Sequence, residues 1–198
     1  MASQSELPIE DVGMPRDPQD DIDQQFATIS NAFTGDESVT FLQIGKKITE
    51  VLSGTQHQYQ RLALDVGSHS TAEEFFIHQP PTPAEMENAI MSVEDEIIRI
   101  RSAITPGSLL YTRDRAIHDI ALLAGVPESA EMVMTLDSME RTFDRLAVVI
   151  QGRPASWEGL PTENTFAATL LILREFMHHL QFMSISVISI VSPFTPSH

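Results

Sequence analysis

The spacing of apolar positions changes twice along the chain. Ile22, Phe26, Ile29 and Phe33 recur at intervals of four and three, which predicts a short helix over residues 20–33, ended by Thr34-Gly35-Asp36. Acidic residues crowd its first turn, where they suit the helix dipole. Three strand-like runs follow, over 39–44, 48–52 and 59–66, with turns at Gly45-Lys46-Lys47 and Ser53-Gly54-Thr55. Links this short join antiparallel neighbours, so the runs predict a three-strand meander.

From residue 70 the period becomes helical. A short helix is predicted over 70–77 and is broken by Pro80-Pro81. Thr82-Pro83-Ala84-Glu85 is a start signal, with Thr82 as N-cap, Pro83 at the first helical position and Glu85 closing a capping box. Met86, Ile90, Val93, Ile97, Ile100 and Ile104 then form one apolar stripe about five turns long. Pro106-Gly107 stops that helix, and 109–111 is a strand candidate. Helices are predicted over 114–123, 136–150 and 162–180, and a last strand over 185–191. Met132, Met134 and Met139 are counted among helical methionines and read as core or interface. A meander followed by alternating helices and strands is the order of an α/β, ribonuclease-H-like domain.

Composition narrows what such a domain does. The 198 residues are 42% hydrophobic and 20% charged, an ordinary composition for one folded domain. Twelve Lys and Arg stand against 28 Asp and Glu, a formal net charge of −16. Half of that excess lies in residues 1–37, where nine acids face Arg16 alone. Residues 1–19, with Pro8, Pro15 and Pro18, show no period and are expected to form an acidic, flexible lead-in to a single domain over 20–198. So few basic residues exclude generic nucleic-acid binding. The absence of cysteine excludes a disulfide scaffold, a thiol nucleophile and cysteine-ligated zinc. The apolar run near the C-terminus is interrupted by His178, His179, Gln181 and serines, so no membrane span or membrane partner is expected, and a cytoplasmic protein is the default.

Four stretches, in order, resemble the C-terminal half of the phosphatase domain in the exopolyphosphatase and guanosine pentaphosphate phosphatase family. The first is Phe41-Leu42-Gln43-Ile44-Gly45-Lys46-Lys47-Ile48-Thr49-Glu50, where the family has a strand, Asp-Ile-Gly-Gly-Gly-Ser-Thr-Glu, and a second strand. The second is Leu64-Asp65-Val66-Gly67-Ser68 with Ala72-Glu73-Glu74-Phe75-Phe76, similar to the family's third strand, its Leu-Gly-Ser turn and the helix after it. Pro80-Pro81-Thr82-Pro83-Ala84-Glu85-Met86 is similar to the linker into the next long helix, and Glu158-Gly159-Leu160-Pro161 to a turn that opens a late one. The resemblance implies the actin-like ATPase superfold. It also implies phosphate-handling chemistry, with the family's catalytic carboxylate in the first helix.

The site positions depart from that pattern while scaffold residues persist. In the family's glycine-rich loop a Cβ would block the approach of phosphate to backbone N–H groups. Here Gly45 remains, Lys46 and Lys47 replace the next two glycines, Ile48 replaces the serine, and Thr49 matches. The aspartate expected to hold a divalent metal is Gln43, which brings no charge for Mg²⁺. The Ser-Gly-Thr turn is represented by Thr112-Arg113-Asp114 and an expected arginine by Asn164. Asp20 or Asp21 stands where the catalytic glutamate belongs, one methylene shorter. Two motifs of other chemistry are weaker. Gly67-Ser68-His69-Ser70-Thr71 lacks the second glycine of a nucleophile elbow and reads as a turn, and adjacent His178 and His179 point to different helix faces.

The expectation is therefore a non-catalytic relative that acts by binding, with another protein or a second copy of itself as partner, no resident cofactor and no metal site. A phosphorylated small molecule is a further expected ligand, with Gly45, Lys46, Lys47 and Thr49 as candidate phosphate contacts. The rival expectation is a Mg²⁺-dependent phosphatase of polyphosphate or guanosine pentaphosphate with Asp20 or Asp21 as base.

Overall fold

The alternating runs become β1 (Val39–Ile44), β2 (Thr49–Gly54) and β3 (Tyr59–Leu64), paired antiparallel in the predicted meander. The structure, a computed structural model, describes residues 18–33 and 37–188, and the side chains of 18–21 lie outside that set. Helix α1 (Pro18–Ser30) precedes the meander and begins two residues ahead of the expected start, so the boundary at 19/20 falls inside a helix. Residues 1–17 of the expected lead-in lie outside the described residues.

After the meander come α2 (Ser68–Phe75), α3 (Pro83–Ile100), β4 (Leu109–Thr112), α4 (Arg115–Leu123), β5 (Glu131–Thr135), α5 (Leu136–Ile150), α6 (Ala155–Glu158), α7 (Asn164–His179) and β6 (Ser184–Ile188). The six strands form one sheet in the order β3-β2-β1-β4-β6-β5, with β1, β4 and β6 mutually parallel and β5 antiparallel to β6. This is the expected α/β, ribonuclease-H-like architecture. One element corrects the sequence reading: Met132 and Met134 lie in strand β5, not in a helix. Both are buried and alternate with exposed Val133, a period of two that five ladder partners on β6 convert into a strand.

Local chemistry sets the helix starts. Thr82 Oγ1 accepts from the Glu85 N–H, and Glu85 Oε2 accepts from the Thr82 N–H at 2.8 Å, so the capping box forms with Pro83 at the first helical position. The five-turn stripe ends one turn early: Ile100 closes α3, and residues 101–103 tighten into a 3₁₀ turn.

The two sheet faces are covered unequally. Helices α2, α3, α4, α5 and α7 lie on one face around a large apolar cluster, with α7 at its centre. Ten residues of α7 are buried, among them Leu170, Leu171, Leu173 and Phe176. A second cluster lies on the other face, where Ile22, Phe26 and Ile29 of α1 meet Val39, Phe41, Leu52, Tyr111 and Ile188. At the amino end of β1, Thr40 Oγ1 shares hydrogen bonds with Ser53 Oγ at 2.8 Å and Ser108 Oγ at 2.7 Å, so the buried hydroxyls satisfy one another. No helix is long and apolar enough to cross a membrane among the described residues.

Candidate functional site

Strands β1 and β4 run parallel, in register from Val39↔Leu109 to Phe41↔Tyr111, while the other neighbour of β1 is the antiparallel β2. The carboxyl ends of such a parallel pair, where the connections diverge, form a crevice. A cleft of about 350 Å³ opens there. Gln25 of α1 lines it, with Phe41 and Gln43 of β1, and Arg113, Asp114 and Arg115 from the β4–α4 connection.

Asp114 fixes this end of the sheet. Its Oδ1 accepts from the Ala116 N–H at 2.9 Å, capping α4, and its Oδ2 accepts from the Ile44 N–H at 3.0 Å, tying the end of β1 to α4. Its own N–H donates to Thr112 Oγ1 at 3.0 Å. Burial pushes the Asp114 carboxyl above its ordinary value, and the hydrogen bonds from Ala116 and Ile44 oppose that shift. The carboxylate is a strut with both oxygens engaged.

Its neighbours are not engaged. Gln43 Oε1 and Arg113 Nε are buried and have no hydrogen-bond partner. Buried polar atoms are seldom left so, and two in one cleft mark a place where hydrogen-bonding capacity is unspent. Arg115 pairs with Asp119 at 3.1 Å on the exposed side of α4, whereas Arg113 has no ion pair among the described residues.

The turn between β1 and β2 is packed against α2. The carbonyl of Gly45 accepts from the Ser68 N–H at 2.9 Å, and that of Lys46 accepts from the N–H groups of His69 and Ser70 at 2.9 and 3.0 Å. Ser70 Oγ donates to the Lys47 carbonyl at 2.8 Å. The free N–H groups at the start of α2, which would otherwise attract an anion, are therefore taken by the turn. Gly45 spends its own N–H on the Ile48 carbonyl at 3.0 Å. A glycine is required at 67 because a Cβ there would sit 2.6 Å from the Lys47 carbonyl carbon and 2.7 Å from that of Lys46.

Each predicted site residue can now be placed. Lys46 and Lys47 are exposed and do not line the cleft. Thr49 is buried, and its hydroxyl donates to the Val66 carbonyl at 2.8 Å, a bond that ties the start of β2 to the chain after β3. Asp20 and Asp21 lie in the first turns of α1; Asp21 is four residues before the cleft residue Gln25, and the side chains of both acids lie outside the described residues. Asn164 donates through Nδ2 to the carbonyls of Phe76 at 3.2 Å and His78 at 2.9 Å, so it fastens the α2–α3 connection to α7. Ser68 Oγ donates to the Gly45 carbonyl at 3.2 Å, and residues 68–71, read from sequence as a turn, open helix α2. His178 and His179 meet separate carboxylates, Glu140 at 3.3 Å and Glu175 at 3.0 Å. No group of three His, Asp or Glu side chains converges as a metal site among the described residues.

The sequence reading noticed Gln43 as a departure but gave no role to Arg113 or Asp114. One signal was available: two arginines and an aspartate directly after a strand that runs parallel to β1.

No family model and no curated protein matches the chain. Solved structures do. A Ppx/GppA family member from Aquifex aeolicus is similar with a TM-score of 0.69 at 17% identity, over 87% of this chain and 58% of that one. A type II variant structure of the Aquifex aeolicus Ppx/GppA phosphatase gives 0.67 at 16%, over 87% and 60%. An exopolyphosphatase from Cytophaga hutchinsonii gives 0.63 at 12%, over 83% and 57%. The chain has the fold of these proteins and spans less than two thirds of their length.

Proposed function

We propose that this protein is an exopolyphosphatase-related binding protein without phosphatase chemistry, working in the cytoplasm. The observation that carries the reading is Gln43. Near the carboxyl end of β1, in the crevice formed with β4, a neutral amide stands where a phosphatase of this fold would need a metal-holding carboxylate. Among the described residues, the neighbouring carboxylate, Asp114, has both oxygens bound to backbone N–H groups, which supports a site without a divalent cation. The shared fold supports the relationship but not the activity, because function resides in the site.

Binding also extends to the surface. Leu109, Val133, Met183 and Trp157 are all about half exposed or more, and we infer that a second copy of the chain or another protein covers such apolar surface.

The rival reading, a Mg²⁺-dependent phosphatase, has one point in its favour: Asp21 lies one turn of α1 before Gln25. Phosphate release from polyphosphate and from guanosine pentaphosphate with Mg²⁺ separates the two. No release is expected above a protein-free control. Turnover that disappears in the Asp20→Asn/Asp21→Asn double variant would overturn the binding-only reading.

A further inference from the structure

We propose that the cleft between α1 and the ends of β1 and β4 binds, without a metal, a small phosphomonoester carrying a hydroxyl group, with the phosphate on Arg113 and the hydroxyl on Gln43. The proposal rests on the binding-only reading and names its ligand.

The charge of the cleft selects an anion. Although the chain carries −16 overall, the described side chains that line the cleft include two guanidinium groups and one carboxylate, and that carboxylate accepts from the N–H groups of Ala116 and Ile44. Arg113 has no ion pair among the described residues, and its Nε–H has no acceptor. A guanidinium presents planar, paired N–H donors that match a phosphate edge, so an oxyanion supplies what the side chain lacks. Arg115 is held only by Asp119 across one exposed helical turn, a pairing worth little, and it can turn toward a second phosphate oxygen. Two cations favour a dianion over a single carboxylate.

Gln43 adds the second element. Its Oε1 is an acceptor without a donor, and an anion cannot satisfy it. A ligand hydroxyl next to the phosphate supplies the donor that Oε1 lacks. A cleft of about 350 Å³ admits a compact molecule and not a polymer. Lys46 and Lys47 play no part, since they lie outside the lining.

Glycerol 3-phosphate and inorganic phosphate serve as probes, titrated calorimetrically into the full chain in EDTA. Saturable one-to-one binding of glycerol 3-phosphate is expected, tighter than that of phosphate. Arg113→Gln should weaken both by at least about tenfold, the scale of one charge-assisted hydrogen bond. Gln43→Ala should erase the preference for glycerol 3-phosphate while leaving phosphate binding intact. Lys46→Ala/Lys47→Ala should change nothing. Because Arg113 has no hydrogen bond or ion pair to lose among the described residues, its variant should melt close to wild type, which separates loss of ligand from loss of fold. Absence of saturable binding at millimolar probe, a requirement for Mg²⁺, or loss in the lysine variant instead would each overturn the proposal. Phosphate release from polyphosphate reports on the binding-only reading separately: turnover alongside the expected titrations sinks that reading and leaves the site standing.

Discussion

At the scale of single residues, the close approach at Gly67 constrains the junction between the β1–β2 turn and α2. The β1–β2 turn and the start of α2 are joined through backbone atoms, so there is no flexible side chain to yield to an added methyl group. Gly67→Ala should destabilise the protein by about 1–3 kcal/mol, read from chemical denaturation, because the turn must shift and its bonds to Ser68, His69 and Ser70 must stretch. Wild-type stability in this variant would mean that the contact is looser than the geometry shows. The same junction holds the two lysines of the turn, which are exposed and outside the described lining of the cleft. Their identity is visible in a sequence; the commitment of the turn to α2 is not. Arg113 is the converse case. Its sequence neighbours mark its place after β4 but not its significance, which lies in lacking a partner among the described residues, and that depends on the residues around it.

At the scale of elements, legibility tracked how local the cause was. The start of α3 was readable because Thr82, Pro83 and Glu85 act on one another within a single turn. Strand β5 was not, because methionine has no strong strand preference and Glu131–Thr135 owes its extension to pairing with β6, more than fifty residues later. The α3 capping box also sets a pH dependence. Hydrogen bonds from the Thr82 N–H and then from His78 hold the Glu85 carboxyl at about 2, against an ordinary 4.5. A carboxyl lowered on folding adds stability in full above 4.5 and loses it as pH falls through about 2. Carbon-13 shifts of the Glu85 carboxyl should titrate near that lower value. His78→Ala should raise the midpoint only part of the way, because the Thr82 N–H remains; no movement at all would remove His78 from the account.

At the scale of the whole molecule, the charge and the fold limit one another. A surface this acidic repels long polyanions, and the described cationic side chains that line the cleft are two, Arg113 and Arg115. The exposed apolar residues give the assembly prediction: light scattering across the micromolar range should show a mass above 22.0 kDa, and a monodisperse monomer throughout would count against self-association.

The docking of α1 has a thermodynamic corollary. Ile22, Phe26 and Ile29 hold the helix to the sheet, assisted by Arg61, which bridges Asp23 at 2.8 Å and Glu50 at 2.6 Å. These ion pairs are partly exposed and contribute modestly, so the apolar contacts dominate. Phe26→Ala should cost about 3–5 kcal/mol. Because the same helix supplies Gln25 to the cleft wall, undocking and ligand loss are linked equilibria. Amide hydrogen exchange in α1 should therefore slow when glycerol 3-phosphate is bound, and by a factor that grows with ligand concentration, while the amides of α7, on the opposite face, should report only global opening. Exchange in α1 that ignores the ligand would show that the helix and the cleft wall move independently. Where the two are linked, the helix acts as a reporter: its protection factor measures occupancy of the cleft that it helps to line, without any label on the ligand.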